Sequence, residues 1–217
     1  MQFTTALIAS AAALTASALP QTTPVATGDR FGVITIRSGS EIQNSPIQAA
    51  RGSLMVNAKS QNASCDAPTN SATFYINEDK ELYLQESKSS YRPQRMFVDR
   101  SGMGKSTSSL RMHPQRLGFS NNITGQGKIG YLTGAQPLGR NYETKGWTAE
   151  NNQLRFDGSG IQACPGGVDG SWSIWLTGLD KPGFLEGCVG VTGAIYKTEN
   201  PIGCWYTEPS YTIGGDN

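Results

Sequence analysis

Short apolar runs with alternating polar positions follow one another through most of the chain. In FGVITIRS, an extended backbone places Phe31, Val33 and Thr35 on one face. Ile34 and Ile36 then fall on the other face. Gly, Asn, Asp and Pro separate these runs, and no longer window combines a helical period with a cap. The pattern predicts an all-β fold, a single compact β-barrel or β-sandwich domain of about ten short strands.

One hairpin is explicit in the run ATFYINEDKELYLQE. Two alternating segments flank the polar turn Asn77–Lys80, whose residue types favour a tight connection. The sequence therefore predicts two antiparallel strands joined at this turn.

The first eighteen residues, MQFTTALIASAAALTASA, differ in composition from the rest of the chain. They are apolar and rich in alanine, and they end in Ala16-Ser17-Ala18, an A-x-A cleavage pattern. The apolar run is short for a membrane span. We expect a secretory signal peptide at 1–18, a short Pro/Thr linker at 19–30 and one β domain at 31–217, with no membrane anchor.

Composition and charge agree with a secreted domain. Charged residues make up 16% of the chain and the formal net charge is +1. A balance so close to neutral argues against a nucleic-acid partner or an anionic membrane surface.

Four cysteines follow the leader: Cys65, Cys164, Cys188 and Cys204. An even number in an oxidising compartment indicates two disulfides, with three possible connectivities. Because two β-type runs joined by the turn TENP connect Cys188 to Cys204, we expect adjacent strands to pair them. Cys65 then remains for Cys164. The absence of C-x-x-C spacing argues against a metal site.

The sequence offers little catalytic chemistry. There is one histidine, His113, and the motifs of nucleophile elbows, zinc proteases and P-loops are missing. A glycosidase needs only two facing carboxylates, and six acids could supply them: Glu78, Asp79, Glu81, Asp99, Asp157 and Asp169. Most of them stand at turn-like positions, where acids cap and solubilise. We therefore predict a protein that is not an enzyme and needs no cofactor, with a secreted glycan hydrolase as the alternative.

The tryptophans Trp147, Trp172, Trp175 and Trp205 raise the possibility of carbohydrate stacking, since indole faces match the apolar faces of pyranose rings. In SWSIWLT, a strand places Trp172 and Trp175 on opposite faces, so one is expected in the core and the other at the rim. Trp147 and Trp175 are the candidates for stacking.

Two N-x-S/T sequons begin at Asn62 and Asn122. Asn62 lies in a polar stretch shortly before Cys65, which is typical of an exposed loop. We expect glycosylation at Asn62 and regard Asn122 as doubtful, because it falls in the atypical segment described below.

Longer stretches carry a family resemblance: SQNASCD, SATFYI, MFVDRSGMG, QGKIGYLTGAQP, GWTAENNQLRF, IQACPGGVDGSWSIWL and GCWYT. In this order they resemble the PhiA-type cell wall proteins of filamentous fungi, over nearly all of the chain after the leader. The stretch from GKIGY to CPGGVDGSWSIW is more loosely similar to the C-terminal domain of Pir-type wall mannoproteins. The resemblance implies a secreted, non-enzymatic wall protein involved in phialide and conidium development, with some members known as allergens. Its expected partners are wall polysaccharide or other wall proteins.

The segment Lys105–Thr124 interrupts this resemblance, because the family reads FVDRSGMGQGKIGY without a break. It contains His113 and Asn122, and it has no hydrophobic period. Gly104-Lys105-Ser106 can be encoded with GTAAGT, a 5′ splice signal, and Ser120 to Gly125 with a branch point and a 3′ ACAG. Splicing there would restore one glycine codon. We interpret the segment as a translated retained intron, with an exposed surface loop as the alternative.

Overall fold

The structure is a computed structural model that describes residues 24–90, 92–101 and 127–208. The predicted leader, the segment Lys105–Thr124 and Asn122 lie outside these ranges. No helix in the described ranges has the length and hydropathy needed to cross a membrane.

The described residues are almost entirely β-strand, which confirms the predicted class. Ten strands have four residues or more, and six have two or three. The strands are β1 (Phe31–Ile36), β2 (Ser45–Pro46), β3 (Gln48–Ala50), β4 (Ser53–Val56), β5 (Ser64–Cys65), β6 (Thr73–Ile76), β7 (Leu82–Leu84), β8 (Gln94–Asp99), β9 (Lys128–Thr133), β10 (Tyr142–Glu143), β11 (Trp147–Glu150), β12 (Gln153–Phe156), β13 (Ile161–Cys164), β14 (Trp172–Leu176), β15 (Val189–Lys197) and β16 (Cys204–Trp205). Two 3₁₀ turns occupy Val168–Gly170 and Pro182–Phe184.

Eight of these strands close into a ring, as in a β-barrel. The order of neighbours is β1, β6, β7, β8, β9, β14, β13 and β15, and β15 pairs back with β1. Every pairing in the ring is antiparallel. The strand β4 enters between β14 and β9 and pairs with both. Closure leaves no free sheet edge within the ring, which protects an exported protein from edge-to-edge association.

The interior is filled by the inward-facing positions of these strands. The face predicted for β1 is correct, because Phe31, Val33 and Thr35 are at most 1% exposed while Ile34 and Ile36 are half-buried. The predicted turn at Asn77–Lys80 is also confirmed, since β6 and β7 pair across it. Burial of this apolar set supplies the main stabilisation of the fold.

The segment that follows β16 is anchored within the barrel. Gln94, which is 1% exposed, donates from Nε2 to the carbonyl of Tyr206 at 2.9 Å and accepts from the Tyr206 amide at 2.9 Å. The amide of Gly52 donates to the carbonyl of Thr207 at 3.0 Å. These bonds bring Glu208 to the outer surface beside β4 and β9.

The preferred disulfide pairing was wrong. The structure pairs Cys65 with Cys204 and Cys164 with Cys188. The pairing of Cys188 with Cys204 would require β15 and β16 to be neighbours. In the structure β16 pairs with β5, which sets Cys204 opposite Cys65. The strand β15 pairs with β13, and the register Ala163 to Val189 brings Cys188 beside Cys164.

Candidate functional site

The two tryptophans predicted to stack on sugar are buried. Trp147 is 0% exposed and packs edge-on against Phe156, with ring centroids 5.0 Å apart. Trp175 is 7% exposed, and its Nε1 donates to Ser173 Oγ at 2.8 Å. Neither indole face is open, so the stacking prediction is wrong for both residues. Trp172 and Trp205 are the half-buried tryptophans.

A different pair of aromatic rings lies on the outer face of β8 and β10. Phe97 lies opposite Gly130 in the register of β8 and β9. A Cβ at Gly130 would lie 2.6 Å from Phe97 Cζ and 2.8 Å from the carbonyl oxygen of Gly52. Glycine therefore allows the phenyl ring to lie down across the neighbouring strand, a contact that also stabilises glycine-containing strand pairs.

Tyr142 completes this aromatic pair. Its ring stacks on Phe97 with centroids 4.0 Å apart and an interplanar angle of 4°. The strand β10 places it there, because Tyr142 pairs with Asp99 and therefore shares the outer face of the sheet. Phe97 is 7% exposed and Tyr142 is half-buried, so Tyr142 is the ring that reaches solvent.

These rings line a cleft of about 480 Å³ between β4, β8, β9 and the anchored segment after β16. Charges of both signs stand around it: Asp99, Lys128, Arg51 and Glu208. Asp99 and Lys128 are directly opposed in the β8 and β9 register. Gln136 Nε2 donates to Glu208 Oε2 at 3.0 Å. An aromatic ring surrounded by hydrogen-bonding groups of both kinds suits a small polar ligand with an apolar face.

The turn between β3 and β4 forms one side of the cleft. Arg51 and Gly52 form the two-residue turn between β3 and β4, both with positive φ, at 51° and 71°. The Arg51 amide donates to Thr207 Oγ1 at 3.0 Å, which ties this turn to the segment that carries Glu208. Within the described residues no ion pair involves Arg51 or Lys128.

The six acids considered for catalysis separate into three groups. Glu78, Asp79, Asp157 and Asp169 are exposed. They stand at turns, as the sequence indicated. Asp99 lies in the cleft. Glu81 lies elsewhere, in a buried polar cluster.

Glu81 is held as an ionised structural group. Its carboxylate accepts from Tyr83 Oη at 2.9 Å, Thr144 Oγ1 at 3.1 Å and Asn77 Nδ2 at 3.3 Å, and it pairs with Arg95 at 3.2 Å. Burial alone would raise the pKa of Glu81, but these donors and Arg95 lower it on balance. Burial and the adjacent carboxylate raise the pKa of Tyr83 to about 12. A carboxyl group with a lowered pKa is poorly suited to act as a general acid.

Asn62 is exposed, with a φ of 49° in the loop before β5. An exposed position of this kind is what glycosylation at Asn62 requires. In the described part of the chain, no group of three or more His, Cys, Asp or Glu side chains is placed to hold a metal ion.

Sequence reasoning missed Phe97, Tyr142 and Glu208. The runs RMFVDR and KIGYLT contain Phe97 and Gly130, but their pairing depends on the register of β8 and β9. The sequence did predict that these two strands are joined by a short turn once Lys105–Thr124 is set aside, and β8 and β9 do pair, but the residue-by-residue register could not be read from the sequence.

A closed β-barrel with two disulfides is a fold suited to an oxidising, extracellular compartment. Comparison with known families identifies the particular one. A model of the PhiA-like secreted protein family matches residues 31–112 and 106–207. The chain belongs to this family, and it is a secreted protein of the cell wall.

Curated relatives support this assignment over nearly the full chain. A "Cell wall protein phiA" of Aspergillus niger is 46% identical over 199 residues, covering 90% of this chain and 95% of the relative. A protein of the same name from Aspergillus fumigatus is 42% identical, covering 96% and 100%. Another from Emericella nidulans is 40% identical, covering 92% and 98%. No solved structure matches the chain.

Proposed function

We propose that this protein is a non-enzymatic wall protein that associates with cell wall polysaccharide through the cleft beside Tyr142. The observation that supports the proposal is the stacked pair of Phe97 and Tyr142 at the cleft, 4.0 Å apart. Phe97 and Gly139 hold the tyrosine ring between them, so its exposed edge is fixed in the cleft and little conformational entropy is lost when a sugar contacts it. The resemblance to PhiA-type proteins implies phialide and conidium development as the setting.

The charges around the cleft favour a neutral sugar polymer. Two carboxylates and two cations stand together, so the cleft has no strong net charge to attract an anionic polymer. Carboxylates and the Gln136 amide can accept from sugar hydroxyls, and the cations can donate to them.

A glycan-hydrolase function is the second candidate, because Asp99 and Glu208 place two carboxylates at the same cleft. A retaining or inverting glycosidase uses such a pair, one carboxyl group as acid and the other as nucleophile or base. The two candidates differ in whether bound polymer is cleaved.

The test is a pull-down on insoluble β-glucan and on chitin, run together with a reducing-sugar release assay. We expect wild-type protein to bind without release, Tyr142→Ala to bind severalfold more weakly, and Tyr142→Phe to bind like wild type because it keeps the ring. Failure of the wild type to bind either polymer would refute the proposal. Steady sugar release that Asp99→Asn or Glu208→Gln abolishes would establish the hydrolase instead.

A further inference from the structure

A second aromatic ring lies flat on the outside of the barrel, on β15. Tyr196 pairs with Gly32 of β1. A Cβ at Gly32 would lie 2.3 Å from both Cζ and Oη of Tyr196. The phenol therefore lies across Gly32, as Phe97 lies across Gly130. The Tyr196 side chain is accessible to solvent, because the residue is 44% exposed.

The flank of Tyr196 along β1 and β2 is apolar. Ile34 of β1 and Ala194 of β15 are directly opposed on the same outer face, and both are half-buried. Pro46 of β2 pairs with Ile34 and is exposed. We call these residues, with Tyr196 and Gly32, the Tyr196 platform. The nearest charge in the strand register is Arg30, two residues before Gly32 on the same face, and its guanidinium lies over the Tyr75 ring, 4.1 Å from the centroid. Lys197 and Asp29 pair with each other at 2.9 Å. A flat, exposed aromatic ring with an apolar flank fits the apolar face of a pyranose in a β-linked polymer.

The cleft and the Tyr196 platform lie on opposite walls of the barrel. The cleft is on β8 and β9, and the platform is on β15 and β1. In the ring of eight strands, β7 and β6 separate them on one side, and β14 and β13 separate them on the other. Outward-facing side chains on opposite walls point in opposite directions. A single extended polysaccharide strand therefore cannot lie on both.

From this arrangement we infer that one molecule joins two separate strands of neutral β-linked polysaccharide, one at the cleft and one at the Tyr196 platform. The inference rests on the proposed function of the cleft and adds a second site and a cross-linking role. Two weak sites on one rigid barrel give useful avidity when both are engaged in a polymer network.

The test uses soluble β-glucan of high molar mass and a short oligosaccharide of the same linkage. Wild-type protein should raise the light scattering of the polymer, with a maximum at an intermediate ratio of protein to glucan. Calorimetric titration with the oligosaccharide should give two sites. Tyr196→Ala and Tyr142→Ala should each retain one site and leave the scattering at the level of glucan alone. Tyr196→Phe keeps the ring and should cross-link like the wild type.

The outcomes separate this inference from the proposed function. Wild-type protein that binds one oligosaccharide and does not cross-link overturns the second site but leaves the cleft intact. Unchanged cross-linking and two sites in Tyr196→Ala exclude the platform. No binding at all refutes both proposals. If Tyr196→Ala does not fold, as judged by its disulfide map, Tyr196→Thr replaces it with a residue that favours strands.

Discussion

At the scale of single residues, two glycines control where the aromatic side chains lie. Gly32 and Gly130 have no Cβ, and the rings of Tyr196 and Phe97 occupy the space that a Cβ would take. Each glycine weakens its strand on intrinsic grounds, and the ring that covers it offsets part of this loss.

The first prediction concerns Gly130. An alanine there meets not only the Phe97 ring but also the carbonyl oxygen of Gly52 at 2.8 Å, and backbone atoms cannot move aside cheaply. We expect Gly130→Ala to lower the free energy of unfolding by about 1–3 kcal/mol, as overpacking does. Urea unfolding measures this.

Gly190 provides the matched control for that change. It lies in β15, and a Cβ there would meet nothing within 4 Å. Gly190→Ala should leave stability unchanged or raise it by about 0.5 kcal/mol, because alanine loses less backbone entropy on folding. Equal unfolding midpoints for the two variants would contradict the packing described for Gly130.

The second prediction concerns the buried carboxylate of Glu81. Glu81→Gln removes the charge that Tyr83, Thr144 and Arg95 stabilise, and we expect a loss of about 1–3 kcal/mol at pH 7. Asp79→Asn is the control, since its ion pair with Lys145 joins side chains that are 67% and 63% exposed. This control should change stability little.

The effect of Glu81→Gln should also depend on pH. The folded pKa of Glu81 is lowered, so the unfolded state binds the proton more readily. The stabilisation is therefore complete above the unfolded pKa, about 4.3, and is lost as the pH falls through the folded value. The difference between wild type and Glu81→Gln should shrink at pH 3. A difference that stays constant from pH 7 to pH 3 would argue against an ionised Glu81.

At the scale of secondary-structure elements, the pairing of β8 with β9 indicates that these strands do not need the segment Lys105–Thr124 to connect them. The two strands pair up to Asp99 and Lys128, and the Gly127 amide still donates to the Asp99 carbonyl at 2.9 Å. The strand ends are thus already held together as in a short connection. The family match is divided into 31–112 and 106–207, two spans that meet inside this segment.

We propose that the secreted protein lacks Lys105–Thr124, with a single glycine at the joint. Tryptic peptides from fungal culture fluid should then include SGMGQGK, which runs from Ser101 to Lys128 across the junction. Mass spectrometry of the secreted protein shows whether this junction peptide is present. Recovery of MHPQR, from Met112 to Arg116, would show that the segment is translated and kept.

A recombinant pair extends this test to stability. Without the segment, the connection between Asp99 and Lys128 is about fourfold shorter, which lowers the loop-closure cost by ~1 kcal/mol. We expect the shortened protein to unfold at a higher urea concentration than the full chain, with the same disulfide map. A less stable shortened protein would indicate that the segment contributes to the fold.

At the scale of the whole molecule, the two disulfides close loops of very different length. Cys65 and Cys204 are separated by 139 residues, and Cys164 and Cys188 by 24. In the chain-entropy model these loops contribute about 5 and about 3.5 kcal/mol respectively. The long bridge also fixes β16, from which the chain continues to Glu208 at the cleft.

We therefore expect the double variant Cys65→Ala/Cys204→Ala to lose ~1.5 kcal/mol more than Cys164→Ala/Cys188→Ala. Removing both partners avoids free thiols that could exchange. Denaturant unfolding compares the two, and non-reducing peptide mapping of the wild type checks the pairing itself. A main peptide joining Cys188 to Cys204, or the opposite order of stabilities, would contradict this account.

Local patterning along the chain was enough to predict the strand-rich class, the buried face of β1 and one hairpin turn. The face of β1 and the turn at Asn77–Lys80 follow from side-chain alternation and turn chemistry within a few residues, and both are as predicted. The family could also be identified from the sequence, because long ordered matches do not require any knowledge of strand neighbours.

Which strands become neighbours depends on long-range packing, and the candidate site depends on which strands are neighbours. The disulfide partners change because β16 pairs with β5 and not with β15. Trp147 and Trp175 are covered, while the Tyr196 ring lies exposed across Gly32 and the half-buried Tyr142 reaches the cleft beside Phe97. Burial and cross-strand contact arise from residues far apart in the chain, which local hydrophobic patterning does not encode.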